Sequence, residues 1–149
     1  TRVFSHWFSD PLTNKLYPDA TMGHHSLTHD EPGEQPEVNM VTRFIMGELA
    51  YMIEQLAAVE EGDETLLDHM VLLATSEHSR GQTHSFEEMP IVLAGGACGA
   101  LRQGYHYRSY SGENASHVML SLVRAMGINA PTFGVDAGEV SDGLSQIET

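Results

Sequence analysis

Three things are scarce in this chain of 149 residues, and each scarcity excludes something. Basic residues come first: seven Lys and Arg face 21 Asp and Glu, a formal net charge of −14. Nothing in that balance replaces the counterions on a phosphate backbone, so nucleic acid and anionic membrane surfaces are excluded as partners. Cysteine is next. Cys98 stands alone, so it forms no internal disulfide and leaves the redox compartment open. Long apolar runs are the third shortage, since none approaches the ~20 residues that span a bilayer. No signal-peptide pattern is present and residue 1 is Thr, which reads as a mature or trimmed piece. What remains is 41% hydrophobic and 19% charged, the balance of a soluble globular protein with one sizeable core.

Against these shortages stand nine His, more than the five Phe and one Trp together. Where they fall depends on the elements. Arg2 to Phe8 is rich in aromatic and β-branched residues and stops at Ser9-Asp10-Pro11, as a strand would. Pro11 to Pro36 is a long polar connection, of the kind that tends to be functional or disordered. Val41, Phe44, Ile45, Leu49, Met52, Ile53, Leu56 and Val59 then recur at helical steps, predicting a long amphipathic helix that starts at Pro36 and closes at Gly62. A short helical turn is expected over Glu64 to Asp68. Met70–Thr75 and Pro90–Ala94 are continuous apolar runs, as in strands buried on both faces of a parallel sheet. A second amphipathic helix spans about Asn114 to Met126 and stops at Gly127. The tail from Asn129 lacks periodicity and reads as a surface segment. Met46, Met52 and Met70 read as core filler. The order predicts a single α/β domain over residues 1–149, with a largely parallel sheet flanked by helices.

Two clusters can carry chemistry. In Gly23-His24-His25-Ser26-Leu27-Thr28-His29-Asp30, one helical turn would put His25 and His29 on one side. Neutral imidazole is a common ligand of zinc and its neighbours, and Asp30 or the Thr28 hydroxyl can orient a ring from behind. The second cluster runs from Ser76 to His84. Directly after a buried parallel strand, it would lie where open α/β sheets bind ligands. Glu77 and His78 offer an oxygen and a nitrogen ligand, and His84 returns after Gly81. Gly95-Gly96-Ala97-Cys98-Gly99 matches no phosphate-binding pattern and reads as a tight turn. Cys98 reads there as an incidental thiol with no base adjoining it in sequence. His6, His69, His106 and His117 have no partner in sequence, and Arg80 and Arg102 are candidates for holding an anion.

The motif His25-Ser26-Leu27-Thr28-His29-Asp30 resembles that of the bacterial HXXSHH-motif family, a domain of unknown function, with Thr28 for its Ser and Asp30 for its last His. The likeness continues through Thr65-Leu66-Leu67-Asp68, Glu77-His78 to Thr83-His84, and Met89-Pro90-Ile91-Val92-Leu93-Ala94-Gly95-Gly96, and it reaches Ala125-Met126-Gly127. That family is in turn similar to the alkaline phosphatase-like superfamily, with its sulfatases and phosphoglycerate mutases. The resemblance implies an alkaline phosphatase-like α/β fold and metal roles for His25, His29, Glu77, His78 and His84. His25 stands where Asp is usual, and Glu77 replaces the Asp of an Asp-His pair.

The early strand that carries the superfamily's nucleophile has no counterpart upstream of His25. The chain therefore resembles a C-terminal fragment, with either the missing N-terminal part or a second copy of itself as partner. The implied cofactor is one or two divalent ions, zinc first, with manganese or iron as alternatives. The implied function is hydrolysis of phosphate or sulfate esters, with Arg80 contacting a small anionic ester and no catalytic residue identifiable. The rivals are a non-catalytic exported metal-binding or interaction domain and a structural domain with incidental histidines. Periplasmic or extracellular placement follows from the resemblance alone.

Overall fold

The computed structural model describes residues 3–149, and the chain forms two compact units. One comprises the chain up to Met52 together with Glu77–Phe86; the other comprises Ile53–Ser76 and Glu87–Thr149. Helix α2 (Pro36–Ala57) runs from the first into the second.

In the first unit, α1 (His24–Asp30) interrupts the long polar connection. Its start is held by Asn14, which accepts from the Ser26 amide at 3.1 Å and donates to the Ser26 hydroxyl at 2.9 Å. Its end is held by Gln35, whose side-chain amide reaches the carbonyls of Leu27, Thr28 and Glu31 at 3.2–3.4 Å. The Thr28 carbonyl is one that a helix C-terminus leaves without an intrahelical partner, whereas that of Leu27 also accepts from the Glu31 amide at 3.1 Å. Helix α2 begins at Pro36, where a missing N–H costs nothing. Its next two amides, of Glu37 and Val38, donate to the buried Glu31 carboxylate at 2.8 and 2.9 Å. A negative charge there also suits the positive end of the helix dipole. Tyr17, Leu27 and Val41 form the core of this unit, with Ala20, Val38, Met40 and Ile45 packed around them.

In the second unit a two-residue turn follows the end of α2. β1 (Glu60–Glu61) and β2 (Glu64–Thr65) pair antiparallel about Gly62-Asp63, and Gly62 takes the positive φ of 68°. The four-residue helix α3 (Leu66–His69) follows. Strands β3 (Leu72–Thr75) and β4 (Ile91–Ala94) and helix α4 (Ser116–Ala125) complete the regular structure of this unit apart from single turns. Ala97, Leu101, Leu122, Leu144 and Ile147 make its core.

The expected largely parallel sheet does not form among the described residues. β3 and β4 pair antiparallel, Leu72 opposite Ala94 and Thr75 opposite Ile91, and each of the two sheets among the described residues has two strands. The connection explains this. Parallel neighbours need a crossover, usually a helix, to bring the chain back to the same end. Residues 76–90 contain one 3₁₀ turn, Gly81–Thr83, so the chain re-enters from the end it left. Nor are the apolar runs buried on both faces, since Leu73 is 38% exposed while Leu72 is 7% exposed.

Val3 to Phe8 form no strand, and Val3, Phe4 and Trp7 are exposed. Arg2, where that strand was expected to begin, lies outside the described residues. Met46 is exposed and is not core filler. The tail is also more than a surface segment. Leu144 and Ile147 are buried, and the Leu144 amide donates to the buried Ser121 hydroxyl at 2.8 Å, which itself donates to Glu148 at 2.6 Å. Among the described residues no helix is long and apolar enough to cross a membrane.

Candidate metal centre

The four-residue spacing of His25 and His29 is realised as one turn of α1, which sets their ring centroids 4.8 Å apart. His84 reaches the same place from the 76–90 connection. The Ser79 amide and hydroxyl both donate to the Ser85 carbonyl, at 2.8 and 3.0 Å, and the Ser85 amide donates to the Arg80 carbonyl at 3.2 Å. This closes a small loop whose flanking residues include His78 and His84, with centroids 4.8 Å apart. His84 itself is left-handed, at φ 51°, and ends the Gly81–Thr83 turn. Gly81 is required there for space, because a Cβ would stand 2.7 Å from the Thr28 Cβ. Gln82 fastens the loop to α1 by donating to the Glu31 carbonyl at 3.2 Å.

The result is a row of four imidazoles, His25, His29, His84 and His78, each beside the next, and His78 also packs against Phe86. In the middle of the row, Nε2 of His29 faces Nε2 of His84 at 3.4 Å. His25 Nδ1 lies 3.1 Å from the Pro11 carbonyl. A carbonyl only accepts, so the Nδ1 of a neutral ring there carries the proton and Nε2 keeps its lone pair. Neighbouring His24 points elsewhere, edge-on to Tyr17. Burial, and secondarily the proximity of His25, lowers its pKa below the usual 6.5.

Not every expected ligand joins the row. Glu77 is exposed and shares in none of these ring contacts. Arg80 is exposed too, and its guanidinium donates to the Gln82 side chain at 3.0 Å. The expected orienting groups are not the ones used. The Thr28 hydroxyl donates to the His25 carbonyl at 2.8 Å and not to a ring, and the Pro11 carbonyl takes that role for His25. Pro11 and Asn14 lie ten or more residues before α1, and no local pattern links them to it.

Among the described residues, no three His, Cys, Asp or Glu side chains are already gathered closely enough to enclose an ion. The His29–His84 pair nevertheless has a suitable span. Two nitrogens bound to one tetrahedral zinc at about 2.0–2.1 Å are separated by about 3.3 Å. A groove of about 400 Å³ in the same unit is lined by His6, Trp7, Phe8, Lys15, Tyr17 and Phe44 among others, and by none of the four imidazoles. That groove and the row of imidazoles are therefore separate features of this unit. Comparison with protein-family models, curated proteins and solved structures finds no match for the chain.

Proposed function

We propose that this protein binds a divalent metal ion, zinc first, through His29 and His84, with His25 and His78 as the adjoining nitrogen ligands. The observation that carries the reading is the 3.4 Å separation of Nε2 in His29 and His84, the span that one tetrahedral ion imposes on two imidazoles. The Pro11 carbonyl supports it by fixing His25 with a free Nε2, the arrangement typical of ligating histidines. The net charge of −14 acts in the same direction, concentrating cations around the chain.

An ion held there would supply Lewis acidity toward a phosphate or sulfate ester. In that hydrolytic version Glu77 adds a carboxylate ligand and Arg80 meets the anionic ester. The overall negative charge opposes such a substrate, so metal binding without turnover is the reading the chain supports best.

Calorimetric titration of the purified chain with zinc and with manganese tests this, beside His29→Ala/His84→Ala and His78→Ala. Saturable zinc binding that weakens roughly a hundredfold or more in the double variant is expected. Equal affinity in both proteins contradicts it. Turnover of p-nitrophenyl phosphate or sulfate by the zinc-loaded chain, abolished in His78→Ala, would establish the hydrolytic version. Binding without turnover would leave the metal-binding domain.

A further inference from the structure

The second unit contains a constellation that involves none of these imidazoles. His69, the last residue of α3, places Nδ1 3.4 Å from the Cys98 Sγ and Nε2 3.3 Å from a Glu64 carboxylate oxygen. Glu64 lies on β2, so the carboxylate, the imidazole and one edge of the thiol's surroundings all belong to one short stretch of chain. The glycine-rich turn brings in the sulfur. Ala97, Cys98 and Gly99 are successively left-handed, at φ 47°, 56° and 85°. Non-glycine residues adopt that conformation at a cost, only where the surroundings impose it. Here α3 imposes it: the amides of Gly96, Ala97 and Cys98 donate to the carbonyls of Leu67, Met70 and Asp68 at 2.8–3.4 Å. Those bonds hold Cys98 against the end of the helix that presents His69.

A nucleophile, a base, and a carboxylate on the far nitrogen of that base are the parts of an activated thiol. With the Glu64 carboxylate 3.3 Å from Nε2, the neutral tautomer that keeps its proton on Nε2 is favoured, and in that tautomer Nδ1 is an acceptor facing the thiol. What such a thiol can attack is limited by the same turn. Acyl transfer draws on hydrogen-bond donors that hold an oxyanion, and backbone N–H groups are the usual ones at a turn beside the nucleophile. The amides of Gly96, Ala97, Cys98, Gly99, Ala100 and Leu101 are all already donating to carbonyls. Thiol–disulfide exchange develops no oxyanion and needs only a thiolate and a proton source for the departing sulfur. Cys98 is exposed, so a small disulfide can reach it. Four of the five residues from Glu60 to Glu64 are acidic, which favours a disulfide carrying positive charge.

We infer that Cys98 is a site of S-thiolation by small cationic disulfides, with His69 as its base and Glu64 as the positioning residue. The Sγ proton passes to His69 Nδ1, and the thiolate attacks one sulfur of the disulfide. The new Sγ–S bond forms as the old S–S bond breaks, and the departing thiolate takes the proton back from His69. One thiol and one disulfide become one mixed disulfide and one thiol. These 149 residues hold no second cysteine, so none among them resolves the adduct.

The test is the rate of mixed-disulfide formation with cystamine at neutral pH, followed by intact-mass spectrometry. The native chain is compared with the same chain unfolded in urea, with His69→Ala and with Glu64→Gln. A base in reach of the thiol takes its proton as the sulfur attacks, which raises the share of reactive thiolate. Lower intrinsic nucleophilicity offsets part of this, leaving about fivefold. The native chain should therefore react about fivefold faster than the unfolded one. His69→Ala should fall to the unfolded rate, with Glu64→Gln between. Cystamine should outpace glutathione disulfide by a margin that narrows in Glu64→Gln. A native rate no higher than the unfolded rate, or an unchanged rate in His69→Ala, overturns the inference. The urea comparison decides the matter even if a variant fails to fold.

Discussion

Glu31 shows how much one side chain can organise in a unit this small. It is 8% exposed, yet both carboxylate oxygens are satisfied by the first free amides of α2, and its own carbonyl receives Gln35 and Gln82. It thereby joins α1, α2 and the loop that carries His84. Replacing it with Ala leaves two helix amides without an acceptor, which costs about 1–3 kcal/mol. The denaturation midpoint in urea should fall accordingly for Glu31→Ala and by less for Glu31→Gln, which keeps one acceptor oxygen. An unchanged midpoint would show that the cap does not contribute. Nothing in the local sequence marks Glu31 for this role. The capping signals that can be read from sequence place an acceptor directly before the helix, and here that position is Gln35, at φ 49°, which caps a different helix.

Elements were legible in proportion to their length and amphipathic character. The apolar spacing from Val41 onward marks α2 to within a few residues of its end, and Gly127 stops α4 with a left-handed φ of 81°. The spacing of His25 and His29 allowed a helical turn inside a stretch that read as a long connection, and α1 is that turn. Short apolar runs were not, because a run such as Leu72–Thr75 has the same composition in a parallel strand as in a hairpin. Its partner is chosen by a connection whose path no periodicity reports. Helix α3 is long enough for only one turn and depends on its cap. The Thr65 hydroxyl and amide both donate to Asp68, at 2.7 and 2.9 Å, which lowers the Asp68 pKa below its ordinary 3.8. As the pH falls, the unfolded chain therefore takes up this proton first. The stabilisation is fully present above the ordinary value and disappears as the pH drops through the lower folded-state value. Asp68→Asn should lower the melting temperature at neutral pH, and the gap to the wild type should close in strong acid. A gap that stays constant throughout would mean that the cap does not depend on the carboxylate charge.

At the scale of the whole molecule, the order of helices could be read and the architecture could not. Two units with separate small cores replace the expected sheet-centred layering, and the core of the second draws Leu144 and Ile147 from a tail with no pattern to announce them. Two apolar residues three apart are too few to register as an element, yet they are enough to seal a small core. The histidines were conspicuous by number, and the first unit brings four of them into one row. His69 and Cys98 lie 29 residues apart and had no sequence signal, because only the turn between β4 and α4 brings them together. The donors that a metal could meet thus differ between the units, imidazole in the first and thiol with imidazole in the second. X-ray absorption at the zinc edge of the stoichiometrically loaded chain separates them. The central claim predicts nitrogen scatterers at about 2.0–2.1 Å with imidazole outer-shell scattering that weakens in His84→Ala. A sulfur scatterer at about 2.3 Å, or a spectrum unchanged in that variant, would contradict it.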